Sequence, residues 1–523
     1  MVSLDNVRTG WHLFSRLPWF LRHPLTADVA ERVLRRRLQT RTAMFLHNAR
    51  VIYQESRHPA RTLLLQAGCT YADLERMVRS SGLEETLQTL FRRGVYLTVG
   101  EFKGREATER SGRALNVQPA LLLNPVSAFH IPAGSSGSRG ASTLAPIDLA
   151  FISGCAVDTC LWLAARGGGE WVKALWETPR GGGLFRLLKY ASFGRPPRGW
   201  FSQIQTTRQE LQARYRWSMH AVGWASRLAG RRLPAPAYAP LDDPLPLARW
   251  LAGIVRSGET VHLFTFPSSA VRLAGAAQDA GIELAGVRFL LGGEPVTAAR
   301  LQAIRATGAD GVSRYGTIET GPIGYGCLAP DAPDDVHLLD DLHALIQVAP
   351  QEARPGLPPG ALLVTSLHAR APFLFLNVSM GDQAVVDRRR CGCPAEEIGW
   401  TTHLRGIRSF EKLTTGGMTL LDTDVIRVLE DVLPSRFGGA PTDYQLLEED
   451  GADGQPRLRL LVHPLVGPVD SRHLADAFLA ALGATAGSHL TRWYRLGWFT
   501  VERQIPRVTG SGKILHLVGR PPA

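Results

Sequence analysis

Lysine is almost absent from this chain of 523 residues. Of its 59 basic residues only five are lysine, and the rest are arginine. The lysines are Lys103, Lys173, Lys189, Lys412 and Lys513. With 47 acidic residues the net charge is +12, and a basic surface attracts nucleic acid, anionic membranes, or acidic partners such as nucleotides and acyl carrier proteins. The arginines are spread along the chain and form no cluster interleaved with aromatic residues, so no nucleic-acid partner is expected.

Cysteine and long apolar runs are also scarce. Six cysteines in a chain of this length do not suggest a disulfide scaffold, so we expect a reducing, cytoplasmic setting in which thiols are free to bind metal. No apolar run reaches 18 residues, and the N-terminus lacks the order of segments that a secretory signal needs, so no transmembrane segment or signal is expected. The length predicts two or three domains.

The order of sequence patterns predicts an α/β fold. The first hundred residues space their apolar side chains at helical intervals, with Thr26 as a helix cap and a break at residues 80–82. The segment "VYLTVGEF" is expected to be extended. Strand and helix patterns alternate over residues 261–319, and residues 335–400 are rich in strand patterns. A smaller unit with its own helices and strands begins at about residue 409.

Three glycine loops have the composition of nucleotide-binding turns, although each taken alone is a weak signal. Residues 135–143, "SSGSRGAST", combine small residues and hydroxyls that can surround a phosphate. "LLGGEPV" (290–296) ends a strand, where nucleotides usually lie in α/β sheets. "RYGTIETGPIGYG" (314–326) places a carboxylate, Glu319, where it could bind Mg²⁺ beside phosphates. A flexible loop or an ordinary turn would explain any one of them.

The order of these loops, followed by Gly381-Asp382, Arg408 and a late "SGK", resembles the adenylate-forming superfamily. Within it the chain looks most similar to the branch of phenylacetate–CoA ligases and coenzyme F390 synthetases, which is related to the acyl-protein synthetases of bacterial luminescence. The resemblance implies a large N-terminal α/β domain and a small, mobile C-terminal α+β domain. The domains expected are residues 1–118 (helical part of the large domain), 119–408 (adenylate-forming core) and 409–523 (small domain).

The resemblance also assigns roles to individual residues. Lys513 would be the catalytic lysine, Glu319 the magnesium ligand, and Asp382 the ligand of the ribose hydroxyls. The residues expected to bind ATP or AMP are Ser135, Ser136, Gly137, Ser138, Gly140, Gly292, Gly293, Glu294, Pro295, Tyr315, Gly316, Asp382 and Arg408. The acyl pocket is expected near Phe264, Phe266 and Pro267, whose apolar walls favour an aryl or fatty acid.

Several positions depart from the family pattern. Ile318 stands where the family has a threonine, and Arg139 alters the phosphate loop, which also lacks its usual lysine. Phe410 occupies the expected hinge to the small domain, next to Ser409. These departures put the rate, and the second half-reaction, in question.

Four thiol and imidazole side chains form a candidate zinc site. The resemblance implies a structural zinc bound by Cys327, His337, Cys391 and Cys393, a ligand set that suits tetrahedral coordination. His343 is a rival ligand, and two ordinary turns with free thiols are the simpler alternative. Cys327 could instead carry an acyl group, as the cysteine of luminescence-type synthetases does.

The function expected from the resemblance is ATP- and Mg²⁺-dependent activation of a carboxylic acid as an acyl-adenylate. The acyl group would then pass to a thiol, either coenzyme A or the phosphopantetheine of a carrier protein. An amine or a protein cysteine is the alternative acceptor. A non-catalytic nucleotide-binding or nucleic-acid-binding protein on the same fold is the alternative of another class. The sequence does not indicate the oligomeric state.

Overall fold

A computed structural model describes residues 4–110, 112–127, 131–134, 143–207, 213–410, 414–415, 418–419, 423–450, 456–482 and 484–519. The N-terminal region is helical, as predicted. Its helices are α1 (Leu4–Arg22), α2 (Ala27–Gln39), α3 (Arg41–Gln54), α4 (Pro59–Gln66), α5 (Tyr71–Ser81), α6 (Leu83–Arg92) and α7 (Val99–Phe102). Thr26 caps α2, because its side chain accepts a hydrogen bond from the Val29 backbone.

The segment expected to be extended before residue 103 contains a helical turn instead. Thr98 and Glu101 form a capping box, in which each side chain accepts a hydrogen bond from the other residue's backbone N–H. This reciprocal pair of hydrogen bonds begins α7 and outweighs the strand propensity of the β-branched residues around it. The prediction of an extended segment was therefore wrong for Val99–Phe102.

Eleven further helices follow in the described residues. They are α8 (Leu149–Ala165), α9 (Gly181–Ala191), α10 (Ala213–Leu228), α11 (Leu245–Arg256), α12 (Pro267–Asp279), α13 (Ala298–Arg305), α14 (Pro394–Glu397), α15 (Thr423–Arg427), α16 (Leu433–Phe437), α17 (Ser471–Ala481) and α18 (Ala484–Arg495). A π-helical turn, Val428–Val432, joins α15 to α16. No helix within these ranges is both long enough and apolar enough to cross a membrane.

The strands form one large sheet, one smaller sheet and three short pairs. They are β1 (Thr108–Arg110), β2 (Arg113–Leu115), β3 (Ile131–Gly134), β4 (Leu144–Ile147), β5 (Val172–Trp176), β6 (Gly199–Ser202), β7 (Ala237–Tyr238), β8 (Val261–Thr265), β9 (Val287–Gly292), β10 (Asp310–Thr317), β11 (Gly321–Gly326), β12 (Val336–Leu338), β13 (His343–Gln347), β14 (Ala361–Ser366), β15 (Val378–Arg388), β16 (Thr402–Ser409), β17 (Thr414–Thr415), β18 (Met418–Thr419), β19 (Tyr444–Asp450), β20 (Pro456–Val462), β21 (Phe499–Arg503) and β22 (Leu517–Val518).

The large sheet has twelve strands in the order β13-β14-β15-β16-β12-β11-β10-β9-β8-β5-β6-β7. The strands from β7 to β10 are parallel, and those from β10 to β13 are antiparallel. The predicted alternation of strand and helix over residues 261–317 is confirmed by β8, α12, β9, α13 and β10. The change from parallel to antiparallel pairing falls at β10, beside the sequence motif that contains Glu319.

Helices cover the large sheet on several sides. The buried residues of α8 and α9 pack with Phe264, Leu290 and Tyr325 of the sheet in one apolar cluster. Residues of α11, α12 and α13 form another cluster with the strands β5, β8 and β9. The N-terminal helices from α3 to α7 pack against the antiparallel strands β13, β14 and β15. The helical N-terminal region is therefore part of the packing of the large sheet.

The C-terminal segment forms its own four-stranded sheet in the order β21-β20-β19-β22. Its core joins Val428 and Leu429 of the π-helical turn with Phe478 of α17 and Trp493 of α18. The predicted architecture of a large α/β unit and a small α+β unit is confirmed. The limits at residues 118 and 408 stay predictions.

Candidate active site

A cavity of about 240 Å³ lies between the large sheet and the C-terminal segment. Its walls include seven residues predicted to bind nucleotide and two predicted for the acyl pocket, together with both residues predicted to be catalytic. These eleven are Gly292, Gly293, Glu294, Pro295, Tyr315, Gly316, Asp382, Phe264, Phe266, Glu319 and Lys513. The structure therefore brings together residues that span positions 264 to 513 of the sequence.

Glu319 lies in the turn between β10 and β11 and is only 4% exposed. Thr317 and Thr320 close this turn, because each backbone N–H donates to the other residue's hydroxyl. Among the described residues, no group donates a hydrogen bond to the Glu319 carboxylate. A buried carboxylate that faces a cavity in this way is suited to a hard cation such as Mg²⁺.

Tyr315 and Asp382 both line the cavity, and both are predicted from the sequence to bind the nucleotide. The Tyr315 hydroxyl donates to the Asp382 carboxylate at 3.0 Å. Burial, together with the charge of Asp382, raises the pKa of Tyr315 well above its ordinary value, so the phenol stays a hydrogen-bond donor. This bond fixes the orientation of the carboxylate at the end of the cavity where the ribose hydroxyls are expected.

Lys513 enters the cavity from a tight turn of the C-terminal segment. The Thr509 backbone N–H donates to the Lys513 carbonyl at 2.8 Å, and the Lys513 N–H donates to the Thr509 hydroxyl at 3.1 Å. The ammonium lies 5.2 Å from the centre of the Phe266 ring. Gly293 has a φ of +84°, and a Cβ there would lie 2.9 Å from Lys513 Nζ, so glycine makes room for the lysine.

Glu294 anchors the lysine turn to the large sheet. The Ser268 backbone and hydroxyl both donate to its carboxylate, at 2.9 and 2.8 Å. The Ile514 backbone N–H, next to the lysine, donates to the same carboxylate at 3.2 Å. Glu294 was predicted on the nucleotide side; it lines the cavity, but its carboxylate is engaged by these protein donors.

A buried ionic network continues from Glu294 between the two parts of the chain. Arg300 pairs with Glu294 at 2.8 Å and with Glu430 of the π-helical turn at 2.7 Å, and all three side chains are 1% exposed. Glu430 also pairs with His516 and accepts from the Thr297 hydroxyl. We call Glu294, Arg300, Glu430 and His516 the interdomain network.

Two other predicted residues lie outside the cavity wall. The Arg408 guanidinium pairs with Asp334 at 3.0 Å, and this carboxylate also accepts from the Gly406 and Ile407 backbone N–H groups. Asp334 lines the cavity, whereas Arg408 does not. Pro267 is the first residue of α12, behind Phe266. The roles of Arg408 and Pro267 at a ligand stay predictions.

The predicted phosphate loop lies outside the described residues. This applies to Ser135, Ser136, Gly137, Ser138 and Gly140, and to the departure Arg139. Ile318 lines the cavity, and its Cδ1 lies 3.2 Å from the position of a Cβ on Gly182. Ser409, expected at the hinge, also lines the cavity, and Phe410 donates its backbone N–H to the Gly381 carbonyl at 3.0 Å.

The sequence did not single out several residues that line the cavity. Lys103, at the end of α7, is one of them, and the scarcity of lysine was an available signal. Arg186 is another; it pairs with Glu177 and lies 4.0 Å over the Phe264 ring. Phe151 and Phe185 extend the aromatic wall. Arg314 lies next to Tyr315 on β10, and strand alternation alone predicts that it faces the opposite side.

The four predicted metal ligands lie together, away from the cavity. The ligand atoms of Cys327, His337, Cys391 and Cys393 are all within 4.8 Å of one another. His337 Nε2 lies 3.2 Å from the sulfur of Cys393, while Nδ1 is hydrogen-bonded to the Trp400 carbonyl at 2.7 Å. A carbonyl partner on one ring nitrogen leaves the other free to bind a metal. The donor set and its spacing therefore fit Zn²⁺.

Neighbouring groups support this cluster. The Glu396 carboxylate accepts from the Cys391 and Gly392 backbone N–H groups, at 2.8 Å each, and shapes the turn between the cysteines. The thiol of Cys327 and the ring of His337 hold the pKa of Cys393 far below its ordinary value.

The rival ligand and the second metal-like group are less suited to zinc. His343 is hydrogen-bonded to the Pro322 carbonyl at 2.8 Å and belongs to neither group of potential metal ligands found within the described ranges. Cys327 also lies near Asp335 and His403, but the Asp335 carboxylate is already paired with both His403 and Arg389. Cys327 does not line the cavity, so the geometry does not favour it as an acyl carrier.

Comparison with known proteins identifies solved structures with a similar fold. No family model matches the sequence. No curated protein matches it either. A crystal structure of 2-hydroxyisobutyryl-CoA ligase in the postadenylation state, in complex with R3-HIB-AMP, is similar over 95% of this chain and 91% of its own, with 14% identity and a TM-score of 0.52. The same ligase with 2-HIB-AMP matches over the same shares at 15% identity, also with a TM-score of 0.52.

These matches show that the chain has the fold of adenylate-forming enzymes. The fold class predicted from the glycine loops and the late lysine is therefore confirmed. At this level of identity the likeness concerns the fold alone, and it does not distinguish the phenylacetate–CoA ligase branch from others.

Proposed function

We propose that the protein activates a carboxylic acid with ATP to form an acyl-adenylate and pyrophosphate, and then transfers the acyl group to a thiol. The observation that carries this proposal is the meeting of Glu319, Asp382, Tyr315 and Lys513 in one cavity. A carboxylate for a metal, a carboxylate for sugar hydroxyls and a mobile cation are what adenylate formation requires. The same-fold ligase, crystallised with an acyl-AMP, supports the assignment.

The residues divide the work of the first half-reaction. The acid's carboxylate oxygen attacks the α-phosphate of ATP, so catalysis consists mainly of positioning and charge stabilisation. Asp382, oriented by Tyr315, holds the ribose hydroxyls, and Lys513 lies between the acid and the α-phosphate. Mg²⁺ held by Glu319 would neutralise charge on the phosphates. The aromatic residues Phe264 and Phe266 exclude water from the acyl side.

The second half-reaction requires Lys513 to leave. The Ile514 backbone N–H is shared between the Ser268 hydroxyl and the Glu294 carboxylate, and the interdomain network joins the same two parts, so these contacts would have to break. Ser409, at the expected hinge, borders the same cavity. Rotation of the C-terminal unit about this hinge would withdraw the lysine and open a path for a thiol. The net positive charge suits the phosphates of coenzyme A or an acidic carrier protein.

The proposal is tested by ATP–pyrophosphate exchange against a panel of aryl, short-chain and long-chain acids. Lys513→Ala should lower exchange by at least about 100-fold, because it removes a charge needed as the α-phosphate reacts, while ATP binding falls by less than about 10-fold. Lys513→Arg should not restore exchange, because a planar guanidinium does not fit the space beside Gly293. The exposed Arg76→Ala on α5 is the control. Exchange in Lys513→Ala equal to that of the wild type would refute this role.

We further propose that Cys327, His337, Cys391 and Cys393 bind a structural zinc ion. The ion would join the turn after β11 to the loop between β15 and β16, and so hold the antiparallel half of the sheet together. Its role would be structural, because the cluster does not line the cavity.

The zinc proposal is tested by elemental analysis of the purified protein, which should contain about one zinc ion per chain. Chelation should lower the melting temperature, and Cys393→Ala should lose the metal. His343→Gln is the matched control, since it removes the rival imidazole and should keep the metal. Zinc-free protein that is folded and insensitive to chelators would contradict the proposal.

A further inference from the structure

Arg314 lines the cavity together with Phe264, a residue that the sequence predicts for the acyl pocket. Along β10, Tyr315 points to Asp382 on one face, so Arg314 belongs to the other face. On that face it neighbours Gly292 of β9 and Tyr325 of β11. Gly292 has no side chain, and the Phe264 ring lies 3.3 Å from the position its Cβ would take. Arg314 and Phe264 therefore border the same opening in the sheet surface, and both line the cavity.

The guanidinium of Arg314 is buried without a partner in the described part of the chain. The residue is 6% exposed, its Nε is enclosed with no hydrogen-bond partner, and no ion pair joins it to a described carboxylate. The other buried arginines near the cavity are satisfied: Arg186 pairs with Glu177, and Arg300 pairs with two glutamates. Arg314 therefore differs from these two in the lack of an ion pair. Its unbonded Nε is not distinctive by itself, because the Nε of Arg408 also has no hydrogen-bond partner.

The surroundings of Arg314 add positive charge. Behind it, the fully buried Lys189 donates to the Tyr325 hydroxyl at 2.9 Å. Burial raises the pKa of Tyr325, but Lys189 and Arg314 together lower it below its ordinary value, which places both basic side chains near the same phenol. Glu177, on the same side, is already occupied by Arg186.

A buried cation without a counter-ion is costly, and proteins keep one where a ligand completes it. A guanidinium binds a carboxylate through two parallel N–H donors, a geometry that also fixes direction. The remaining walls on this side, Phe151, Phe185 and Phe264, are aromatic. A ligand that fits has an apolar middle and an anionic end.

From these observations we propose that the acid activated here carries a second acidic group at its far end, and that Arg314 binds that group. The proposal rests on the proposed function, since it places the reacting carboxylate beside Lys513 and the second one at Arg314. It changes the expected substrate class from a plain aryl or fatty acid to a dicarboxylic acid with an apolar spacer. Arg314 would then be a specificity-determining residue.

The test compares matched pairs of acids in ATP–pyrophosphate exchange: phenylacetate with 4-carboxyphenylacetate, and octanoate with suberate. The wild type should show the higher kcat/KM for the diacid in at least one pair. Arg314→Met, which keeps the length and removes the charge, should lower kcat/KM for that diacid by at least about 30-fold and change the monoacid by less than about 3-fold. Arg314→Lys should recover part of the preference.

Two exchange results would overturn the proposal. If Arg314→Met lowers kcat/KM equally for the monoacid and the diacid of every pair, the guanidinium binds the reacting carboxylate or has a structural role. If the wild type prefers monoacids and Arg314→Met leaves that preference unchanged, the cavity does not select a second acid group. Melting temperatures of the variants show whether each one is folded.

A direct binding measurement separates this proposal from the proposed function. If no acid supports exchange in the wild type, the proposed function fails, and calorimetric titration of the two diacids then decides the role of Arg314. If the diacids bind to the wild type and not to Arg314→Met, the result supports an anion-binding site at Arg314. Equal binding to both proteins, or none to either, overturns it.

Discussion

Arg300 and Arg314 are both almost fully buried near the same cavity, yet their surroundings are opposite. Arg300 lies between Glu294 and Glu430, with His516 Nε2 at 3.3 Å, so the protein itself completes the charge. Arg314 has no such partner within the described ranges. One guanidinium joins two parts of the chain, whereas the other is left open toward the space where a ligand would lie.

This difference separates two kinds of buried charge: one that is paired within the protein and stabilises the fold, and one that lacks a partner and indicates a ligand. A buried ion pair recovers much of its desolvation cost from its partners, and removal of one partner exposes that cost. If a buried cation has no partner, the folded state already carries its desolvation cost, and removal of the cation takes that cost away. The same substitution should therefore have contrasting effects on stability at the two sites, and the predictions below use that contrast.

The largest effect is expected for Arg300→Met. This variant leaves Glu294 and Glu430 buried without their common cation, so the free energy of unfolding should fall by about 3–5 kcal/mol. Urea denaturation measures it. Arg305→Met, on the exposed side of the same helix α13, is the control and should change stability by less than about 0.5 kcal/mol. Equal stability of Arg300→Met and the wild type would mean that the network carries no net stabilisation.

A smaller, pH-dependent effect is expected from Glu430. Burial raises the pKa of this carboxyl, but Arg300 and His516 lower it more, to about 2. Because the folded pKa lies below the unfolded value, the stabilisation is present above about pH 4.5 and is lost as the pH falls toward 2. The shift corresponds to about 3 kcal/mol at neutral pH.

The measurement is the melting temperature of the wild type and of Glu430→Gln between pH 6 and pH 3. The two curves should be separated at pH 6 and should approach each other as the pH falls. Parallel curves over this range would show that Glu430 is not the group whose protonation weakens the interdomain network.

The smallest effect on stability is expected for Arg314→Met. Removal of an unpaired buried cation should leave the free energy of unfolding unchanged or raise it by about 1 kcal/mol. Urea denaturation of Arg314→Met and Arg300→Met under the same conditions compares their free energies of unfolding directly. A loss of about 3 kcal/mol or more, which is the order expected for a broken buried ion pair, would show that Arg314 is paired within the folded protein.

Much of the fold and part of the candidate site could be predicted because the signals are local. Strand and helix periods over residues 261–317 need only neighbouring residues, and Tyr315 and Glu319 belong to one short motif. The interdomain network could not be predicted, because Arg300, Glu430 and His516 share no local pattern and meet only after the two units pack together. For the same reason the carboxylate of Glu294 was expected at the nucleotide and is found bonded to protein groups.

Helix α18 shows a different limit of prediction. Thr485 and Gly487 lower its intrinsic helix propensity, so the local sequence is a weak signal for a helix there. Burial of Leu490 and Trp493 in the C-terminal core supplies the stabilisation that propensity lacks. By contrast, the capping box of Thr98 and Glu101 was a local signal of helix that was available in the sequence.

The cavity is lined at one side by Lys103 and at another by Lys513, about 400 residues later in the chain. Synthesis proceeds from the N-terminus, so the aromatic walls around Phe264 are complete long before the C-terminal unit leaves the ribosome. Without the segment that carries Lys513, Leu515 and His516, the aromatic side chains around Phe264 would lack one wall of the cavity and would be more exposed to solvent. The cavity is therefore complete only when both parts of the chain are folded and packed together, and loss of that packing would open the aromatic wall as well as remove Lys513.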